Sequence, residues 1–228
     1  MKKEQFEVLL KQLKTCQKCM QYNCKEKNLI NLYKDLTFAK NIPSIWTDWF
    51  QHLNSKVMII GQDWGPFIDM NELNKKLLPD KSNWKELIES ERSHTKKLLE
   101  KNIEQSSNGK HTLQEAFITN AIMCARQGVS YRGNNINLKQ STLNCCDYLK
   151  KQIDIVKPIV LVPLGYYPLV ALSKIYNFKI KKNLKETIET SSIIKIENYV
   201  IIPLYHTVAQ IKKNEQLKQY NKIWEYIN

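Results

Sequence analysis

Residues 57–67 read Val-Met-Ile-Ile-Gly-Gln-Asp-Trp-Gly-Pro-Phe, an apolar run that passes straight into a glycine turn carrying an acid. Four consecutive apolar residues, Val57 to Ile60, are too few for a helix and suit a strand covered on both faces. Gly61 and Gly65 let the backbone bend sharply and approach a ligand closely, with Asp63 and Phe67 at the rim. A strand of this kind belongs inside a layered α/β fold.

Three more short apolar runs behave alike. Phe117-Ile118-Thr119-Asn120 ends on an amide, Ile159 to Leu164 ends at Gly165, and Tyr199 to Leu204 ends at Tyr205-His206. Segments between them have helical periodicity. Residues 141–156 place Leu143, Cys146, Leu149, Ile153 and Val156 on one face, and 166–176 do so with Leu169, Leu172 and Tyr176. The last segment does the same with Ile211, Leu217, Tyr220, Trp224 and Ile227, and Phe6, Leu9, Leu10 and Leu13 mark an N-terminal helix. The polar stretch 104–111 reads as a loop. This alternation predicts a three-layer α/β/α fold on a central four-stranded, mostly parallel sheet with right-handed crossovers. Chemistry in such sheets sits beyond the carboxyl ends of the strands. Asp63, Asn120 and His206 each follow a different strand, so they are expected to converge on one cleft.

At 228 residues, with no repeat or linker, the chain is expected to form one domain, 1–228. No apolar run approaches the roughly 18 residues of a membrane span. The first residues interleave acids with lysines and lack a cleavable apolar core, so a cytoplasmic protein, taken as a monomer, is expected. Lys and Arg number 35 against 22 Asp and Glu, a formal net charge of +13. That field attracts polyanions and points to a nucleic-acid partner. A lysine-rich genome, with Asn and Ile also abundant, is the plainer source of the same count.

The motifs resemble the uracil-DNA glycosylase superfamily over most of the chain. Gly61-Gln62-Asp63 is similar to the opening of the first motif of the family 1 enzymes, and Gly65-Pro66-Phe67 to the single-strand-selective branch. The rest is most similar to the iron-sulfur family 4 enzymes: Ile118-Thr119-Asn120-Ala121-Ile122-Met123-Cys124, then Cys145-x-x-Tyr148-Leu149 with Gln152-Ile153 and Lys157-Pro158, then Leu164-Gly165 and Pro203-Leu204-Tyr205-His206. Four motifs stand in the family's order. The chain departs from family 4 at Gln62-Asp63 (usually Glu-Ala), at Thr207-Val208 after His206 (usually Pro-Ser) and at Ala125-Arg126-Gln127 after Cys124 (usually Arg-Pro-Pro).

The resemblance implies DNA as partner and a [4Fe-4S] cluster. Cys124 and Cys145 stand where family 4 supplies two of its ligands, and Cys16-x-x-Cys19 follows the N-terminal helix. Six cysteines in a reducing cytoplasm are not by default a disulfide framework. A four-thiolate zinc site is the rival, because spacing alone does not separate zinc from iron. Cys24 is an alternative ligand, and Cys146, on an apolar helix face, reads as a buried free thiol.

The chemistry implied is hydrolysis of an N-glycosidic bond, which passes through an oxocarbenium-like sugar and an anionic base. Asp63 is the candidate carboxylate beside C1′, able to orient the attacking water. The backbone N–H of Gln62 and a neutral His206 would donate to the departing base. Asn120 can pair with the Watson–Crick edge of a flipped-out base, and Phe67, with Trp64 as rival, can stack on it. Plainer roles exist for each: Asp63 as a helix cap, Asn120 satisfying loop backbone, His206 as a hydrogen-bonded core histidine, Phe67 as ordinary core. His52, His94 and His111 lack comparable settings. In family 1 a tyrosine two residues after the motif's acid blocks bulk at pyrimidine C5, and Gly65 stands there in this chain. The expected substrate is therefore a C5-modified pyrimidine, including the modified cytosines of some phage DNA, in the manner of a few antiphage glycosylases, or else plain uracil in repair. A non-catalytic iron-sulfur DNA-binding protein and a small-molecule N-glycosidase are the other readings.

Overall fold

A computed structural model describes residues 1–21, 29–31, 33, 49–64, 66–67, 94–127, 137–196 and 198–227. Helix α1 (Lys2–Lys14) is followed by a single turn, α2 (Lys18–Gln21), and a short strand, β1 (Leu29–Ile30). The apolar run at 57 forms β2 (Val57–Gly61) and leads to β3 (Pro66–Phe67). Next come α3 (His94–Ser106), β4 (Ala116–Asn120), β5 (Ala125–Gln127) and the long α4 (Leu138–Val156). The rest supplies β6 (Val160–Pro163), α5 (Tyr166–Tyr176), α6 (Leu184–Thr190), β7 (Ile194–Ile196), β8 (Tyr199–Ile201) and α7 (Lys213–Trp224).

The main sheet has the order β4-β2-β6-β8-β7. Its first four strands are mutually parallel, and β7 runs antiparallel to β8. Side chains alternate across β2, so Met58 and Ile60 join the core beneath α1, α4 and α5, while Val57 and Ile59 join the core beneath α3 and α7. The three-layer, mostly parallel architecture read from the sequence is present, with a fifth strand added. Ile194-Lys195-Ile196 is a three-residue, half-buried edge strand, too short to register as an apolar run. The stretch 104–111 needs correction as well, because α3 continues through Ser106. Leu99 and Ile103 are its buried apolar residues, and the polar last turn imitates a loop in sequence.

Helix ends follow local chemistry. Asn137 caps α4 by accepting from Gln140 N at 3.0 Å. At the other end Lys157 turns left-handed (φ 55°) and Pro158 cannot continue the helix, so the chain drops into β6. A second, smaller sheet, β1-β5-β3, links the segment after α2 to the loops that follow β4 and β2.

An aromatic cluster holds α1 to the sheet. Phe6 meets Trp49, Phe50 and Phe117 edge-on at 5.3–5.8 Å, and Trp49 stacks on Phe117 with planes 13° apart. Trp49 Nε1 donates to the carbonyl of Ile118 at 2.6 Å, satisfying its buried polar edge. Phe6→Ala should therefore destabilise the protein by about 3–5 kcal/mol. Val8→Ala, on the exposed side of the same helix, should change stability by less than about 0.5 kcal/mol. Urea unfolding of the two variants checks this.

Candidate active site

Asp63 and Asn120 are set by one strand pair. The register of β2 and β4 places Gly61 beside Asn120. Pairing continues past the strand ends, with Ala121 N donating to Gly61 O and Ile122 N to Gln62 O, each at 2.8 Å. The two loops therefore leave the sheet as a zipped pair. A Cβ at Gly61 would run into Asn120 Oδ1, so the amide lies directly over bare backbone. Asn120 is 4% exposed, and its buried Nδ2 has no hydrogen-bond partner among the described residues, so it donates to no loop backbone there. Gln62 Nε2 donates to Asp63 Oδ2 at 2.8 Å, and the chain after Asp63 enters β3 two residues beyond Trp64.

His206 reaches the same region from the other side. An isolated parallel bridge pairs Leu204 with Leu164, and Gly165 N donates to Leu204 O at 2.9 Å. Burial holds the imidazole pKa below its ordinary value, and the nearby Asp63 carboxylate only partly offsets this. Burial thus favours the neutral imidazole. Val208 N–H points at His206 Nδ1 at 3.5 Å, a long contact that favours the tautomer carrying its proton on Nε2. Since β6 lies between β2 and β8, the turn at Gly165 occupies the gap between Asp63 and His206. Gly165 has φ +99°, a conformation side chains rarely adopt, and among the described residues nothing stands within 4 Å of where its Cβ would be. Gly165 stood in the sequence only as part of a motif; a glycine directly after a strand was the signal for this conformation.

The remaining expected residues divide. Gly65 lies outside the described residues, as does the side chain of Phe67, although its backbone pairs with β5. Trp64 turns inward: its Nε1 donates to Met123 O at 2.8 Å and its ring packs 5.9 Å from Trp49. It is engaged in the core and ties the loop after β2 to the loop after β4.

Four cysteines meet at a second place. Cys16, Cys19, Cys124 and Cys145 line one small pocket with Asn31, Tyr33 and Tyr148. A hydrogen bond with Cys19, burial and the proximity of Cys124 push the Cys145 thiol well above its ordinary pKa. Burial, then Cys16, raises the Tyr148 hydroxyl. As placed, no group of three or more His, Cys, Asp or Glu side chains among the described residues stands close enough to hold a metal ion. The donor set nevertheless fits a thiolate-bound group: four sulfurs share one pocket, and the mutual crowding that raises Cys145 is what a bound cation would relieve. Cys146 is separate. Its Sγ donates to Thr142 O, and burial pushes its pKa up to about 11, as suits an inert core thiol. Cys24 lies outside the described residues.

A family model described as the uracil DNA glycosylase superfamily matches residues 47–228. The match takes in β2 through α7 and leaves Cys16 and Cys19 outside it. Comparison with curated proteins gives no match.

The orphaned amide separates stability from activity. An unpaired buried donor costs about 1–3 kcal/mol, so Asn120→Ala should leave the unfolding midpoint in urea unchanged or slightly raised. Base release by the same variant should fall at least about 100-fold. A variant that loses both together would make Asn120 a structural residue.

Proposed function

The chain belongs to the uracil DNA glycosylase superfamily, and on that premise we propose that it hydrolyses the N-glycosidic bond of a flipped-out pyrimidine in DNA. The base is a C5-modified pyrimidine, such as a modified cytosine of phage DNA in a defence role, or uracil. The observation that carries this reading is the buried Nδ2 of Asn120, unpartnered among the described residues and one strand away from Asp63. Buried donors without partners are rare in folded proteins. A base edge inserted over Gly61 would supply the missing acceptor, and Asn120 Oδ1 can accept from a ring N–H.

The residues divide the reaction between them. As the C1′–N bond breaks, its electron pair leaves with the base and positive charge spreads over C1′ and the ring oxygen. The Asp63 carboxylate stabilises that charge and orients a water, whose oxygen bonds to C1′ while its released proton passes to the carboxylate and, through solvent, to the departed base anion. His206, its neutral form favoured by burial, donates through Nε2–H to the developing anion of the base, joined by the backbone N–H of Gln62. A neutral donor suits this role because it adds a hydrogen bond without needing a proton from solvent at neutral pH. Gly165 leaves room for the sugar and base between the two. The product is free base and an intact abasic site, and no lysine is assigned to the site that would form a Schiff base.

Gly65, in place of a bulky residue, supports the enlarged pocket for a C5 substituent, with plain uracil as the second reading. For the thiol pocket, Cys16, Cys19, Cys124 and Cys145 are the ligands of a [4Fe-4S] cluster, with zinc as the rival. When bound, the cluster would supply structural cross-linking of the N-terminal segment to the loop after β4, next to Asn120.

Asp63→Asn should lower release of uracil or modified base from DNA by about 100-fold or more, with DNA affinity changed less than twofold. Wild-type product should break only on heating or alkali. Strand cleavage without them, together with a borohydride-trapped covalent complex, would overturn the simple hydrolytic scheme. If Asp63→Asn keeps near-normal turnover, Asp63 is not the catalytic carboxylate and a capping role becomes the better account.

Anaerobically purified protein should be brown and contain about four irons per chain. Cys16→Ser or Cys124→Ser should bleach it and lower its unfolding temperature. Colourless protein with one equivalent or more of zinc would replace the cluster by a zinc site on the same cysteines.

A further inference from the structure

Beyond the base pocket, the first turn of α5 carries two adjacent tyrosines beside the cleft. Tyr166 follows Gly165 directly, and Gly165 is bonded to Leu204, two residues before His206. Tyr166 and Tyr167 are each half-exposed and sit edge-to-face, with ring centroids 6.2 Å apart and planes at 67°. The core beneath them is filled by Pro168, Leu169, Ala171 and Leu172, so packing does not account for two large rings at the surface. Tyr166 OH donates to the carbonyl of Lys181 at 3.3 Å, which brings the segment after α5 up beside the pair. That segment carries Lys179, Lys181 and Lys182, all exposed. Tyr205, at the neighbouring strand end, has Glu189 and Glu215 near it, so the lysines next to Tyr166 and Tyr167 are the basic groups of this side.

We propose that Tyr166 and Tyr167, with Lys181 and Lys182 beside them, form a stacking platform for unpaired nucleotides next to the target base, so that the protein prefers single-stranded DNA. The proposal rests on the DNA reading above and adds the strand form of the substrate. Aromatic rings interleaved with lysines are how proteins hold single strands without reading sequence, because every unpaired base offers a π-face. A duplex hides those faces in its own stack and offers mainly phosphates, for which lysines suffice and tyrosines add little. Tyr167 is the decisive ring, because the hydroxyl of Tyr166 is committed to Lys181.

The test is fluorescence anisotropy with a labelled, undamaged oligothymidine of about 20 nucleotides and a duplex of equal length, at two salt concentrations. Wild-type protein should bind the single strand more tightly. Tyr167→Ala should weaken single-strand binding about 5- to 150-fold and duplex binding less than twofold, with an unchanged unfolding temperature. Tyr167→Phe should bind like wild type, since the ring and not the hydroxyl acts. Lys181→Ala with Lys182→Ala should weaken both forms and flatten the salt dependence. Equal affinity for both forms in wild type, or equal loss of both in Tyr167→Ala, overturns the proposal. Base release is scored separately. Single-strand binding with no base released from any substrate would sink the glycosylase reading and leave the platform standing, while efficient release from duplex without single-strand preference would do the reverse.

Discussion

The cleft depends on the pairing of β2 with β4, and that pairing depends on Gly61 having no side chain. Parallel strands bring equivalent levels of the chain side by side. Here Gly61 meets Asn120, and a Cβ would strike the amide oxygen. With glycine, the strands stay in register past their ends, and backbone bonds from Ala121 and Ile122 lock the two loops together. Asp63 and Asn120 are thereby held by main chain rather than by flexible side-chain contacts. Trp64 adds a third tie through the Met123 carbonyl.

The proposed site concentrates local costs to stability. Asn120 keeps a buried donor without a partner among the described residues, and His206 sits where burial disfavours its charged form. Each runs against stability taken alone. The rest of the fold has margin to absorb them: both faces of the sheet are covered, and Trp49, Phe6 and Phe117 pack among one another at one end. Lowering the pKa of His206 also ties stability to acidity. Unfolded histidine takes up a proton near its ordinary pKa, about 6.5, while the folded group resists it. Its contribution is therefore present above that pH and lost as pH falls through the lower folded value.

The thiol pocket and the cleft are mechanically linked. Cys124 lies in the same loop as Met123, which accepts from Trp64, and that loop continues into β5, which pairs with both β1 and β3. Gln152 on α4 accepts from Thr119, the residue before Asn120, and donates to Met123 Sδ. A group bound by the four thiols would stiffen the strand end that presents Asn120. Such coupling passes through packed side chains and short strands, with no need for the two sites to touch.

Strands and helices were legible because burial imposes a period on the chain. Val57 to Ile60 read as a doubly covered strand, Leu149, Ile153 and Val156 as one helix face, and the position of Asp63, Asn120 and His206 at the ends of three separate strands followed from those patterns. Edge strand β7 and the polar last turn of α3 were not legible, since a half-buried triplet and an exposed turn carry little period. Cys16, Cys19, Cys124 and Cys145, expected together from resemblance and the Cys-x-x-Cys spacing, line one pocket, and Cys146, read from its apolar helix face, lies in the core. What only the tertiary structure decided concerns contacts between residues far apart in the chain. That Asn120 lies over Gly61 with Nδ2 unpartnered among the described residues, that Gly165 sits at the strand end between those of Asp63 and His206, and that burial outweighs Asp63 in shifting the imidazole all depend on register and depth. Those quantities come from how the sheet closes on its helices, and no local pattern of residue types encodes them.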